Sequence, residues 1–163
     1  MSPKTQRARP VPPPPHHTVT PRLVVADSRR AIAFYKEAFG ATELMTLDDP
    51  QIGGKVVHAE VVIGDSVVSL TDENPDHGAR GPNTLGGTPV VLTLNVEDVD
   101  AVAARAIAAG AKVIFPVKDQ FYGMRQGRVQ DPFGHQWVLS TRLEELTEQE
   151  MRHRMAEWWK TPK

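Results

Sequence analysis

The chain has 163 residues, with 19 Lys and Arg against 20 Asp and Glu and a formal net charge of -1. That balance carries no electrostatic footprint for nucleic acid or an anionic membrane surface. Cysteine is absent, which excludes disulfides, a thiolate nucleophile and Cys-ligated metal.

No apolar run approaches the ~20 residues that span a bilayer. Lys4, Arg7 and Arg9 are followed by no apolar stretch, so no secretory signal is read and a cytoplasmic protein is expected. Residues 1–17, MSPKTQRARPVPPPPHH, are expected to form a disordered tail, because the proline run favours a solvated polyproline form.

A strand follows at 20–26. Asp27 then caps a helix whose apolar side is Ala31, Ile32, Phe34, Tyr35, Ala38 and Phe39, and Gly40 stops it. Strands are predicted near 41–47, 55–63 and 66–71. The middle one alternates, with Val57, Ala59, Val61 and Ile63 on one face and Val56, His58, Glu60 and Val62 on the other. Residues 72–87, rich in turn formers, read as a linker. After it come a strand at 89–96, a helix at 98–109 capped near Asp98, a strand at 111–117 and a loop at 118–124. Strands at 125–130 and 135–141, joined by the turn DPFG, complete this part. A last helix opens at Thr147, which with Glu150 has capping-box spacing. Its Met151, Met155, Trp158 and Trp159 call for burial against the sheet or a partner subunit.

The two halves repeat. Leu23, Val25 and Asp27 find Leu94, Val96 and Asp98 at 71 residues, and Gly40, Ala41 and Gly64 find Gly110, Ala111 and Gly134 at 70. Such self-similarity implies two like modules. Each half is too small to be stable alone, so they are expected to fold together. The expected class is α+β. Module one covers 18–71, the linker 72–87 and module two 88–141, with a C-terminal helix in 142–163.

The words AIAFYKEAFGA at 31–41, VEDVDAV at 96–102 and DPFGHQW at 131–137 resemble the vicinal-oxygen-chelate superfamily. That group includes glyoxalase I, extradiol dioxygenases and bleomycin- and fosfomycin-resistance proteins. The tract DQFYGMRQGRVQDPFGHQW and the later ELTEQEM are most similar to its PhnB-like branch. The resemblance implies paired βαβββ modules, each a half-cup, with a cleft between them and commonly a dimer. In metal-dependent members, four strand residues of His, Gln or Glu type hold one divalent ion there. Carried over position by position, those ligands fall at Thr20, at Ser69 or Val68, at Val91 or Thr93, and at Val138. None can replace imidazole or carboxylate on a divalent transition ion. No metal or other cofactor is therefore expected at that site.

If Thr20 and Val138 keep their orientation, period-two alternation sends Arg22, Val24, Thr93, Asn95, Gln136 and Ser140 into the cleft, with His58 and Glu60 expected on the same side. Leu23, Leu94 and Trp137 then face the core. Arg22 is a fork for carboxylate or phosphate, or the ion-pair partner of Glu60. His58 and Glu60 suit a base with its orienter, or a hydrogen-bonded pair on a solvated face. Gln120 and Tyr122 lie on the loop at the mouth, and Arg125 follows them toward the cleft. His135 reads as a turn residue. Two functions stay open. One is a protein that binds and sequesters a small molecule. The other is a lyase, isomerase or dioxygenase relative using a displaced metal or acid–base groups. A small-molecule ligand and a homodimer are the expected partners.

Overall fold

The computed structural model describes residues 16–161. The expected tail therefore lies outside the described residues except at His16 and His17, which bond to Glu60 and to the carbonyl of Asp65. Module one consists of β1 (Arg22–Val25), α1 (Ser28–Phe39), β2 (Thr42–Asp49), β3 (Lys55–Ile63) and β4 (Ser66–Asp72). A linker containing the short helix α2 (Pro82–Leu85) follows. Module two consists of β5 (Val91–Asn95), α3 (Val99–Ala108), β6 (Lys112–Asp119), β7 (Met124–Gln130) and β8 (Gln136–Arg142). The helix α4 (Glu148–Lys160) comes last. Both sheets are four-stranded and mixed, in the orders β1-β4-β3-β2 and β5-β8-β7-β6. The expected α+β class with two like modules is what the structure shows. No helix among the described residues is long and apolar enough to cross a membrane.

α1 and α3 each start where a carboxylate meets the first free amides. Asp27 accepts from Arg30 N at 3.0 Å, and Asp98 accepts from Ala101 N at 2.9 Å. The apolar stripes of α1 and α3 meet over one hydrophobic core shared by both modules. Tyr35 of α1 meets Trp137 of β8 edge to face and Phe39 meets it tilted, with ring centroids 5.5 and 4.9 Å apart. The DPFG turn supplies the polar latch of this core. Asp131, 2% exposed, accepts from the Tyr35 hydroxyl at 2.6 Å and the Trp137 indole at 3.0 Å. Its other oxygen accepts from Phe133 N and His135 N, both at 3.0 Å. Gly134 is obligatory here. It has φ +92°, and a Cβ on it would stand 2.5 Å from Asn83 Oδ1 of the linker.

One expectation is corrected, and of the two burial sites expected for the α4 tryptophans the sheet does not supply one. The alternation on β3 breaks at its start: Val56, not Val57, is buried. Leu47 pairs with His58 but Asp48 pairs with Val56, so β3 holds one extra residue, a bulge that turns the strand over. The tryptophans of α4 are not buried among the described residues. Trp158 and Trp159 remain 40% and 65% exposed, with Trp158 leaning on Phe121 at 5.4 Å. Arg154 anchors α4 to Glu144 and the carbonyl of Phe121, which holds the helix at the rim rather than over the core.

Candidate functional site

Each sheet turns one face to the helices and leaves the other open. Strand register lines up the open faces in rows. In module one, Arg22 lies beside Ser69, Ser69 beside Glu60, and Glu60 beside Met45. In module two, Thr93 lies beside Val138, Val138 beside Arg128, and Arg128 beside Phe115. The rows are equivalent under the repeat, so Glu60 and Arg128 occupy matching places with opposite charge.

On the first face, His58 and Glu60 meet as the alternation implied, with His58 Nε2 3.1 Å from Glu60 Oε1. His16 joins them, its Nε2 3.0 Å from Oε2. Burial pushes Glu60 upward, but the hydrogen bonds from His58 and His16 outweigh it and hold the carboxyl below its ordinary range. Each imidazole takes a different carboxylate oxygen, so both rings address Glu60 rather than a common point. Arg22 shares the row but is exposed and donates to the carbonyl of Val57 at 3.0 Å, not to Glu60. Val57 is the bulge residue of β3, and the bulge brings that carbonyl within reach of the fork.

The positions that the resemblance assigns to metal ligands are otherwise engaged. Thr20 Oγ1 donates to the carbonyl of His17 at 3.3 Å, and Ser69 Oγ to that of Pro21 at 3.2 Å. Thr93 and Val138 add a hydroxyl and methyl groups. Among the described residues, no three His, Asp or Glu side chains are grouped so that they could hold an ion. The residues present do not fit the divalent metal.

On the second face, Gln120 and Tyr122 line a cavity of about 290 Å³ with Gln126, Arg128 and Val138. Tyr122 Oη accepts from Gln126 Nε2 at 2.5 Å, and burial raises the phenol. Thr93 stands in the same row as Arg128. Arg22 and His58 lie on the other sheet, and Arg22, Thr93 and Tyr122 line different cavities. Arg125 is a correction. It pairs with Thr141, whose hydroxyl bonds to Val96 O and Val99 N beside α3, and its guanidinium grips Asp100 at 2.7 and 2.8 Å and Asp119 at 2.7 Å. Odd-numbered residues of β7 face the helix side and even-numbered ones the open face. Period two from Gln126 therefore leads to Arg128, a residue the sequence reading passed over although the alternation was there to be read. His16, at the end of the proline run, had no comparable signal. His135 is a turn residue as expected, and its Nε2 lies 3.0 Å from the carbonyl of Val24, tying the two modules together.

Residues 15–139 match a family model described as the Glyoxalase/Bleomycin resistance protein/Dioxygenase superfamily. Over 141 residues the chain is 43% identical to the uncharacterized Mycobacterium bovis protein Mb0911c, covering 85% of this chain and 91% of that one. The solved structure of TioX from Micromonospora sp. ML1 superposes with a TM-score of 0.57 at 29% identity, covering 79% of this chain and 98% of that one. A PhnB protein from Bacillus cereus gives a TM-score of 0.60 at 16% identity over 77% and 99%, a likeness of fold alone.

Proposed function

The chain belongs to the glyoxalase/bleomycin resistance protein/dioxygenase superfamily, and from that premise we propose that it binds a small organic molecule on the open faces of its sheets, sequestering it without a four-ligand metal centre. One observation carries this reading: Thr20, Ser69, Thr93 and Val138 stand where ligands are needed, and none is a ligand of the required kind. The open faces remain rich in hydrogen-bonding groups, as a binding surface requires. Within the superfamily, the DQFYGMRQGRVQDPFGHQW tract supports the PhnB-like branch.

The working unit we propose is a homodimer. Leu44, Met45 and Leu47 on β2, with Val113, Ile114 and Phe115 on β6, are 38% to 57% exposed, an apolar surface that a second copy would cover.

A second reading is favoured by the triad His16–Glu60–His58. A carboxylate held ionised between two imidazoles is an orienter for a general base, and supports an enzyme working by proton transfer. Metal analysis of the purified chain tests the first reading. Zn, Ni, Mn and Fe are expected far below one equivalent. One tightly held equivalent per chain overturns it.

A further inference from the structure

Arg128 is the arginine among the described residues whose side chain buries a nitrogen without giving it a partner. Arg29, Arg125, Arg152 and Arg154 each meet a carboxylate, and Arg22 meets a carbonyl. Arg128 has no ion pair or hydrogen bond from its side chain among the described residues, and its Nε is sealed from solvent. The side chain as a whole is only partly buried, so its Nε lacks a partner while the rest of the fork stays within reach of an anion from outside the chain.

The local fold builds a seat around it. The register of β6 jumps between Phe115, which pairs with Arg128, and Lys118, which pairs with Gln126. This bulge presses on Gly127, where a Cβ would lie 2.9 Å from Phe115 O and from Val117 N. The close approach sets the Phe115 ring 5.4 Å from Arg128 Cζ, a cation–π contact that orients the fork. Lys118 adds a second cation to the cavity. Gln120, Gln126 and Tyr122 add neutral donors and acceptors, Phe115 and Val138 add apolar wall, and no carboxylate lines it.

Resting on the binding reading above, we infer that this cavity in module two takes a small organic carboxylate, with its oxygens on Arg128 and its apolar body against Phe115 and Val138. Guanidinium and carboxylate match as two parallel hydrogen bonds, which a neutral amide of the same shape cannot reproduce. The volume of about 290 Å³ suits a ligand of about one ring.

Benzoate and its neutral isostere benzamide are the probes, titrated into the full chain labelled with nitrogen-15 at constant ionic strength. Benzoate is expected to shift the amides around Gln126 and Arg128, and benzamide to bind at least about tenfold more weakly. Arg128→Gln should lower benzoate affinity by at least about tenfold, while Arg152→Gln, at an exposed ion pair on α4, leaves it unchanged. Equal binding of the two probes by the wild-type chain overturns the inference, whether or not Arg128→Gln folds. So does no benzoate binding at millimolar concentration, or shifts confined to the Arg22 and His58 face. A stoichiometric metal with benzoate still dependent on Arg128 would remove the metal-free reading and leave this site standing. A metal-free chain indifferent to the charge would remove this site alone.

Discussion

Asp131 shows how one residue can serve two modules. Its carboxylate satisfies a phenol from α1, an indole from β8 and two amides of its own turn. Asp131→Ala strands three buried donors and one part-buried amide, each buried one costing about 1–3 kcal/mol, so a loss of at least about 3 kcal/mol is expected from denaturant midpoints. The DPFG word was legible as a motif, but its work as an inter-module latch was not, because Tyr35 lies 96 residues away. Glu60 makes a prediction of opposite character. Its folded carboxyl is held below its ordinary range, so it contributes stability above the unfolded value of about 4.3, and that contribution is lost as pH falls through the folded value. The wild type should therefore exceed Glu60→Gln in stability at neutral pH, and the gap should close in acid as the carboxyl becomes protonated. A gap that persists once the carboxyl is protonated would contradict the role given to the carboxylate between His16 and His58.

Strands and helices carry the next level of cause. The bulge in β6 exists because Gly127 has no side chain, and it is this bulge that swings Phe115 under Arg128. Gly127→Ala should cost about 1–3 kcal/mol by overpacking against the β6 backbone. It should also broaden or shift the Phe115 ring resonances, which a mutation felt only elsewhere would leave in place. α4 is held by a capping box read from sequence and found in place: Thr147 Oγ1 accepts from Glu150 N at 3.2 Å, and Glu150 Oε2 accepts from Thr147 N at 2.8 Å. Thr147→Ala should lower the local stability of α4 by about 1 kcal/mol, read as faster amide exchange confined to residues 148–160. Capping is legible because it spans four residues of sequence. A bulge is decided across two strands, and period two alone misassigned Val56 and Val57 on β3.

At the scale of the molecule, the helices of both modules share one core and leave two open faces of matching architecture and opposite charge, Glu60 on one and Arg128 on the other. A cavity lined by Val67, Val68, Leu92 and Thr93 spans both modules, as the expected cleft requires. The homodimer we propose would cover the apolar edges at β2 and β6. Light scattering at micromolar concentration should give twice the chain mass, and truncation after Arg142 should weaken the association if α4 takes part. A monomer for the full chain would count against it.

What the sequence determined by itself was everything set by local spacing. The 70-residue repeat, the capped helices at Asp27 and Asp98, the alternation along strands and the α+β class all follow from neighbours along the chain. It also determined the chemistry missing from Thr20, Ser69 and Val138, since a residue type is legible wherever it ends up. Only the tertiary structure decided which polar residues meet. Arg125 was drawn away by Asp100 on α3, 25 residues earlier in the chain. His16 was brought to Glu60 across 44 residues, and Arg128 was left facing Phe115 without a carboxylate. Charge pairing depends on distance in space, and a one-residue slip in a strand sends a side chain to the opposite face. The identity of a site therefore emerges only once both sheets are registered.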